Sequence, residues 1–423
     1  MKEFIKSIAA FFLGLGAKAV IRRYRPNVVM VTGSVGKTST KDAIAEVLAT
    51  KFLVRKSEKS FNSEFGVPFT ILGIKNPWSS IAAWFSVIKR LFGLLVLPNH
   101  YPNMLVLEVG ADKPGDLANI LKIVTPDAVV VTRLPDIPVH VEAYTSPEAV
   151  QEEEFSPAYA LKAAAPLIIP TGKPHLREMA DRTPARIVTY GEDKESTVRI
   201  THVSFQKTDR AVAGMQAHVT VCEEEGKLSV LGSVGKVQVL PAAAALATAY
   251  AFSIPLAEAL VALDAYEPPP GRGRLFKGKQ GSTVIDDSYN ASPVAVEEAL
   301  DTLAHFPDAK RRIAVLGDML ELGRYSIQEH ERIGALASKL ADIVITVGIR
   351  SRVMEKSAGA AAFIHYDDTR TAADALPGMI ETGDVVLVKG SQSIRMERIV
   401  AALLEDPRDT TRLVRQEREW KRR

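Results

Sequence analysis

A short β-branched run, residues 27–31 (NVVMV), stops at Thr32-Gly33 and continues as Ser34-Val35-Gly36-Lys37-Thr38-Ser39. Helix-patterned sequence follows over 37–50. A buried strand that turns through glycines straight into a helix is the frame of a phosphate-binding loop. Gly33 and Gly36 let backbone N–H groups approach phosphate oxygens, and the helix N-terminus adds partial positive charge. Lys37 is placed to reach terminal phosphates, and the Thr38 hydroxyl to ligate Mg²⁺. Ser34 and Ser39 complete the loop. The spacing is Gly-x-x-Gly-Lys-Thr, with Val31 where the longer G-x-x-x-x-G-K-T form has its first glycine. A bare turn has the same letters; strand before and helix after favour the phosphate reading.

One such unit does not fill 423 residues. At ~100–200 residues per domain, two or three domains are expected. Further buried-strand runs at 104–109, 128–132 and 167–170 alternate with helical stretches, which argues for a parallel sheet covered on both faces. From 197 to 239 the pattern becomes period two, as antiparallel strands require. An alanine-rich helix is expected over 242–252. Glu267-Pro268-Pro269-Pro270-Gly271 cannot continue a helix and marks a domain boundary. Beyond it, strands near 283–285, 313–316, 343–347 and 385–388 alternate with helices near 293–304, 327–340 and 396–404. The expected fold is α/β: a central phosphate-loop ATPase domain with a mostly parallel sheet (26–267) and a smaller doubly wound C-terminal domain (268–404). The tail, 405–423, carries seven basic and five acidic residues and is expected to be a solvated helix or disordered.

Charge and cysteine content narrow the function. Lys and Arg exceed Asp and Glu by only 53 to 50, too balanced for a dedicated nucleic-acid binder. The single Cys222 forms no internal disulfide or cysteine zinc site and suits a reducing cytosol. Two segments raise the membrane surface instead. Residues 1–24 read as an amphipathic helix, either packed on the body or lying on a bilayer; residues 2–25 hold six Lys or Arg and one acidic residue. Residues 78–97 hold two of the three tryptophans around Lys89-Arg90, and read as a helical hairpin on the core or an interfacial helix. Neither is long and apolar enough to span, which takes ~20 apolar residues. The expected location is the cytoplasm, with peripheral contact at the inner face of the plasma membrane the alternative to packing of these segments on the body.

Other chemistry-bearing residues sit at strand ends. Glu108 closes the run 104–109, at the sheet edge where parallel folds bind ligands, and beside a phosphate loop it reads as a metal ligand. His140 follows the next strand, with Glu152-Glu153-Glu154 behind it; spacing alone selects none of these, since a charge run is ordinarily a solvated helix face. In the second half, Asp286-Asp287-Ser288-Tyr289-Asn290 and Gly317-Asp318-Met319 are polar clusters after strands, equally able to cap helices.

Taken together, the blocks VTGSVGKTSTK, FNSEFGVP, LEVGADKPGDLA, VHVEAYTS, GRL (273–275), DDSYNASP, VLGDMLELG and LVKGSQS resemble the Mur ligases, ATP-dependent amide-forming enzymes of peptidoglycan precursor synthesis, in the family's order over about 25–404. The resemblance implies an ADP-forming ligase acting through an acyl phosphate. It implies Thr38 and Glu108 on one Mg²⁺ and His140 on a second. Asn62, Arg274, Asp287 and Asn290 would surround ATP, and Lys389 and Ser391 would meet the incoming amine. DDSYNASP and GDMLELG point to D-alanyl-D-alanine and a UDP-muramoyl tripeptide as substrates. Alternatives are a polyglutamate-type ligase with another acceptor, and a degenerate nucleotide-binding scaffold at the membrane.

Three departures stand out. Only one helix precedes the loop where most of these ligases carry a UDP-sugar domain, so sugar recognition is expected to come from elsewhere or be absent. Glu154 falls where the family often has a CO₂-modified lysine, and is expected to supply a permanent carboxylate to the second Mg²⁺. Val237-Gln238-Val239-Leu240-Pro241 replaces the His-Asn-x-x-Asn that helps hold adenine, so weak discrimination among nucleoside triphosphates is expected.

Overall fold

The computed structural model describes residues 2–58, 61–77, 81–209, 211–357, 359, 361–417 and 420. Its larger sheet has nine strands. β1 (Asn27–Thr32), β2 (Val54–Lys56), β3 (Met104–Glu108), β4 (Ala128–Val131), β5 (Pro166–Pro170), β6 (Arg186–Gly191) and β7 (Val198–Thr208) run parallel in the order β2-β3-β1-β4-β5-β6-β7. β8 (Ala211–Val221) and β9 (Glu224–Leu231) extend it antiparallel, as the period-two sequence requires. β1, β3 and β4 are unbroken apolar runs because helices cover both faces. Ile44 and Leu48 of the helix Lys37–Leu48 pack one face with the alanines of the helix Val239–Ala251. Leu117, Ile120 and Phe155 pack the other. Register aligns Val31 with Glu108 and Thr32 with Val131, so the phosphate loop, Glu108 and Thr132 emerge side by side at one sheet edge.

The second sheet has the order β10-β11-β15-β12-β13-β14. Its strands are β10 (Arg274–Gly278), β11 (Ser282–Asp287), β12 (Arg311–Gly317), β13 (Ile343–Val347), β14 (Ala362–Tyr366) and β15 (Asp384–Lys389), and only β10 is antiparallel. Asp287 and Lys389 are register partners at its carboxyl edge, which faces the carboxyl edge of the first sheet.

Two segments differ from expectation. The stretch 78–97 holds one helix, Ile81–Val96, rather than a hairpin; Trp78 lies outside the described residues. It packs beside the N-terminal helix Lys2–Tyr24, and Gly16 permits the approach, because a Cβ there would come within 2.7 Å of Leu91. The Tyr24 hydroxyl donates to the Leu94 carbonyl at 2.8 Å. The tail is solvated only in part: Pro407–Arg412 form a short helix with no buried residue, whereas Leu413, Val414 and Arg415 are buried, and Arg415 pairs with Glu397 at 2.8 Å. Among the described residues no helix is long and apolar enough to cross a membrane.

Candidate active site

Gly33 and Gly36 both have positive φ, +113° and +89°. At Gly33 a Cβ would collide with the Thr132 hydroxyl, whereas Gly36 is open all round. Gly36 is the N-cap of Lys37–Leu48 and no side chain caps that end. A helix start without a side-chain cap leaves N–H groups to an outside acceptor, the requirement of an anion site. The loop is pinned from below by Ser34 N–H donating to the Arg133 carbonyl at 2.9 Å.

Lys37 folds back over the loop and donates to the Gly33 carbonyl. Its ammonium is 3.6 Å from Glu154, which is almost fully buried and also accepts from the Ser34 hydroxyl. The helix Pro147–Tyr159 that carries Glu154 is capped by Ser146 and tied to β1 by Thr32 Oγ1 donating to the Glu154 carbonyl at 2.5 Å. Across the loop, Thr38 Oγ1 donates to Glu108 Oε1 at 3.1 Å. Glu108 is buried, which pushes its carboxyl above the usual carboxylate range against the pull of Lys41, Lys37 and Thr38. Its other oxygen, Oε2, has no hydrogen-bond partner and lies 3.8 Å from the Lys41 ammonium. Lys41 and Ser57, which donates no proton to Glu108 but accepts its backbone N–H at 3.1 Å, went unflagged in the sequence. Asn62 lies alongside: at Gly110 a Cβ would come 3.1 Å from the Asn62 amide and 3.2 Å from Lys37 Cε.

An orphaned buried carboxylate oxygen beside a phosphate-loop hydroxyl fits a hard divalent cation. The expected second site is not assembled. His140, at φ +65°, is held between Glu321 (3.1 Å) and Asp112 (3.6 Å), while Glu154 is turned to Lys37 and Ser34. Among the described residues no three His, Cys, Asp or Glu side chains converge as a metal cluster.

The C-terminal half supplies the opposite wall. Asn290, Ser391, Gln392, Glu321 and Arg272 face Thr38, Asn62, Glu108 and His140 across one cleft. Arg272, not the expected Arg274, is the arginine in it: Arg274 pairs with Glu267 at 3.2 Å, and Arg272 lies 4.3 Å over the Tyr289 ring. Asn290 uses its side-chain oxygen to accept from Ala291 N–H. Ser391 Oγ accepts from Leu320 N–H at 2.9 Å, tying the two motif blocks together. Lys389 is buried and paired with Asp287 at 2.6 Å, and it lines the adjoining cavity, whereas Ser391 lines the cleft. That cavity runs between the sheets past Gly36, Ser39, Gln238, Pro241, Tyr190 and Thr302. Arg133 and Glu298 form an ion pair across it, and Tyr266 donates to the Ser39 carbonyl at 3.2 Å.

Residues 31–249 match the Mur ligase middle domain, and residues 271–392 the Mur ligase glutamate ligase domain. The chain belongs to the Mur ligase family. It is accordingly an ATP-dependent, ADP-forming peptide ligase of peptidoglycan precursor synthesis. UDP-N-acetylmuramoyl-tripeptide–D-alanyl-D-alanine ligase of Mycobacterium tuberculosis is 31% identical over 90% of this chain and 73% of its own length. The Bacillus subtilis enzyme of that name is 28% identical over 92% and 79%. The crystal structure of MurF ligase from Thermotoga maritima in complex with ADP superposes with a TM-score of 0.78 at 25% identity, covering 93% of this chain and 83% of that one. ADP in that neighbour agrees with the nucleotide reading of the loop.

Proposed function

We propose that this ligase joins D-alanyl-D-alanine to a UDP-muramoyl tripeptide with Mg-ATP. The observation that carries the reading is the single cleft in which the phosphate loop and Glu108 face the blocks DDSYNASP and LVKGSQS. The γ-phosphoryl group passes from ATP to the carboxylate of the tripeptide, leaving ADP. The amine of the dipeptide then attacks the acyl phosphate, and phosphate departs from the tetrahedral intermediate. Lys37 neutralises charge building on the transferred group, and Glu154 and the Gly33 carbonyl hold its ammonium on the loop. Thr38 and Glu108 are the residues that would hold Mg²⁺, which when bound would offset the phosphate charge. Glu154 acts here through Lys37 and Ser34, and no step is assigned to a second ion. Ser39, Gln238, Asp287 and Lys389 line the nucleoside side; Asn62, Asn290 and Ser391 line the acyl side. Contacts between the two halves close the cleft and keep water from an easily hydrolysed acyl phosphate.

We propose further that the reaction runs in the cytoplasm, at the inner membrane face. The observation for that station is a shared apolar surface on Lys2–Tyr24 and Ile81–Val96, where Phe11, Phe12, Phe85, Ile88 and Phe92 are all more than half exposed.

ADP release with Mg-ATP, D-alanyl-D-alanine and UDP-muramoyl tripeptide, each omitted in turn, tests the function. Turnover that needs both acceptor and amine supports it. ATP binding without such turnover rejects these substrates.

A further inference from the structure

The tail that reads as solvated in sequence carries a tryptophan into the catalytic cleft. Trp420 lines it together with Thr38, His140, Tyr289, Asn290 and Ser391. A frame of ion pairs puts it there. Glu397, buried, binds Arg395 at 2.5 Å and Arg415 at 2.8 Å. Arg395 donates to the Trp420 carbonyl at 2.9 Å, and the two guanidiniums lie 5.4 and 5.7 Å from the indole centroid, within cation–π range. Arg415 also donates to the carbonyls of Ser288 (3.2 Å) and Tyr289 (2.6 Å), inside the DDSYNASP block. The tail is thus bonded to the loop that presents Asn290.

The two walls of the cleft differ in chemistry. The phosphate-loop wall carries Lys37, Thr38 and Glu108 and no aromatic ring; the opposite wall holds Arg272 and Glu321 and adds two aromatic rings, Tyr289 and Trp420, beside the neutral Asn290 and Ser391. An indole and a phenol ring beside amide and hydroxyl groups suit the apolar side chains of a small peptide. We propose that Trp420, positioned by Arg395 and Arg415, is a specificity-determining wall of the subsite for the incoming dipeptide and packs against its methyl side chains. This rests on D-alanyl-D-alanine being the amine substrate.

Steady-state kinetics of Trp420→Ala and Trp420→Phe, with each substrate varied, test it. Trp420→Ala is expected to raise KM for the dipeptide by roughly tenfold or more, with KM for Mg-ATP and the melting temperature unchanged, and Trp420→Phe to recover most of the loss. In a Trp78→Phe/Trp84→Phe background, where Trp420 is the sole tryptophan, its emission is expected to shift when the dipeptide is added to the ADP-loaded protein. Normal wild-type turnover with an unchanged dipeptide KM in Trp420→Ala overturns the proposal alone, as does a rise in KM for ATP in its place. Absence of dipeptide-dependent turnover in the wild type takes down the substrate reading and the proposal together.

Discussion

Lys37 and Glu154 are far apart in the larger domain's chain, yet meet because β1 leads into the phosphate loop and the helix Pro147–Tyr159 packs against β1. Their roles separate by mutation. Lys37→Ala removes the cation facing the transferred phosphoryl group and is expected to lower kcat by about 10²–10³-fold, with melting temperature little changed because the side chain is part-exposed. Glu154→Gln keeps size but loses the charge that holds Lys37; a kcat about 10–100-fold lower is expected, and full activity in an ADP-release assay would contradict the role. Asp286 makes a different prediction. It is buried, accepts from Ser288 N–H and hydroxyl, and has one oxygen without a partner. Burial pushes its carboxyl up to about 6. A raised acid pKa means that the folded state binds the extra proton between about pH 4 and 6. Stability therefore falls as pH rises through that window. Asp286→Asn should flatten this dependence and gain most above pH 6, read from urea midpoints of both proteins across pH 4–8.

At the scale of elements, the legible parts were those with local rules. The strand–loop–helix at 27–50, the helix at 293–304 and the antiparallel texture of β7–β9 all follow from periodicity and glycine placement. What escaped was decided by distant partners. Arg415 looks like one more charge in a mixed tail, and only Glu397 and the carbonyls of Ser288 and Tyr289 make it a core residue. Arg272 and Arg274 are indistinguishable in sequence; β10 starts at Arg274, and its first residue turns to Glu267. β14 is not legible in the sequence because its run, AFIHY, is short, partly exposed and follows a glycine- and alanine-rich stretch. Gln238 at the start of the helix Val239–Ala251 is buried and lines the cavity between the sheets, proposed above for the nucleoside, and Pro241 beside it has no side-chain donor or acceptor. A site with few base-directed polar groups rejects the wrong base weakly, so kcat/KM for ATP over GTP is expected to stay below about 10²-fold. A far stronger preference would show that other groups read adenine. The Gly16–Leu91 crossing is equally specific: Gly16→Val should wedge the two helices apart and lower stability by about 1–3 kcal/mol, measurable by denaturant titration.

For the whole molecule, that same helix pair makes one face unlike the rest. On Ile81–Val96 the exposed Phe85, Ile88, Phe92 and Val96 recur at spacings of three and four, and on Lys2–Tyr24 Phe11, Phe12 and Leu15 form a parallel stripe. The helices are held side by side at Gly16–Leu91 and Tyr24–Leu94, so one helix pair carries both stripes. Arg22, Arg23 and Lys89 are exposed on the same two helices. Apolar residues of this size gain about 1.5–3 kcal/mol each when fully buried, and each basic residue near anionic lipid adds about 1 kcal/mol. Ile81–Val96, with sixteen residues, rises only about 24 Å, short of the ~30 Å hydrocarbon core, and among the described residues no helix is long and apolar enough to cross a membrane. The protein is therefore expected to float with phosphatidylglycerol vesicles at low salt, to float less as salt screens the arginines, and to stay down with phosphatidylcholine alone. Phe85→Ser/Phe92→Ser should abolish flotation while leaving ADP release in solution intact, because neither residue approaches the cleft. A wild-type protein that remains at the bottom of the gradient with anionic vesicles at low salt would remove the membrane as the occupant of this face, and a dimer seen by light scattering would put a second copy there instead.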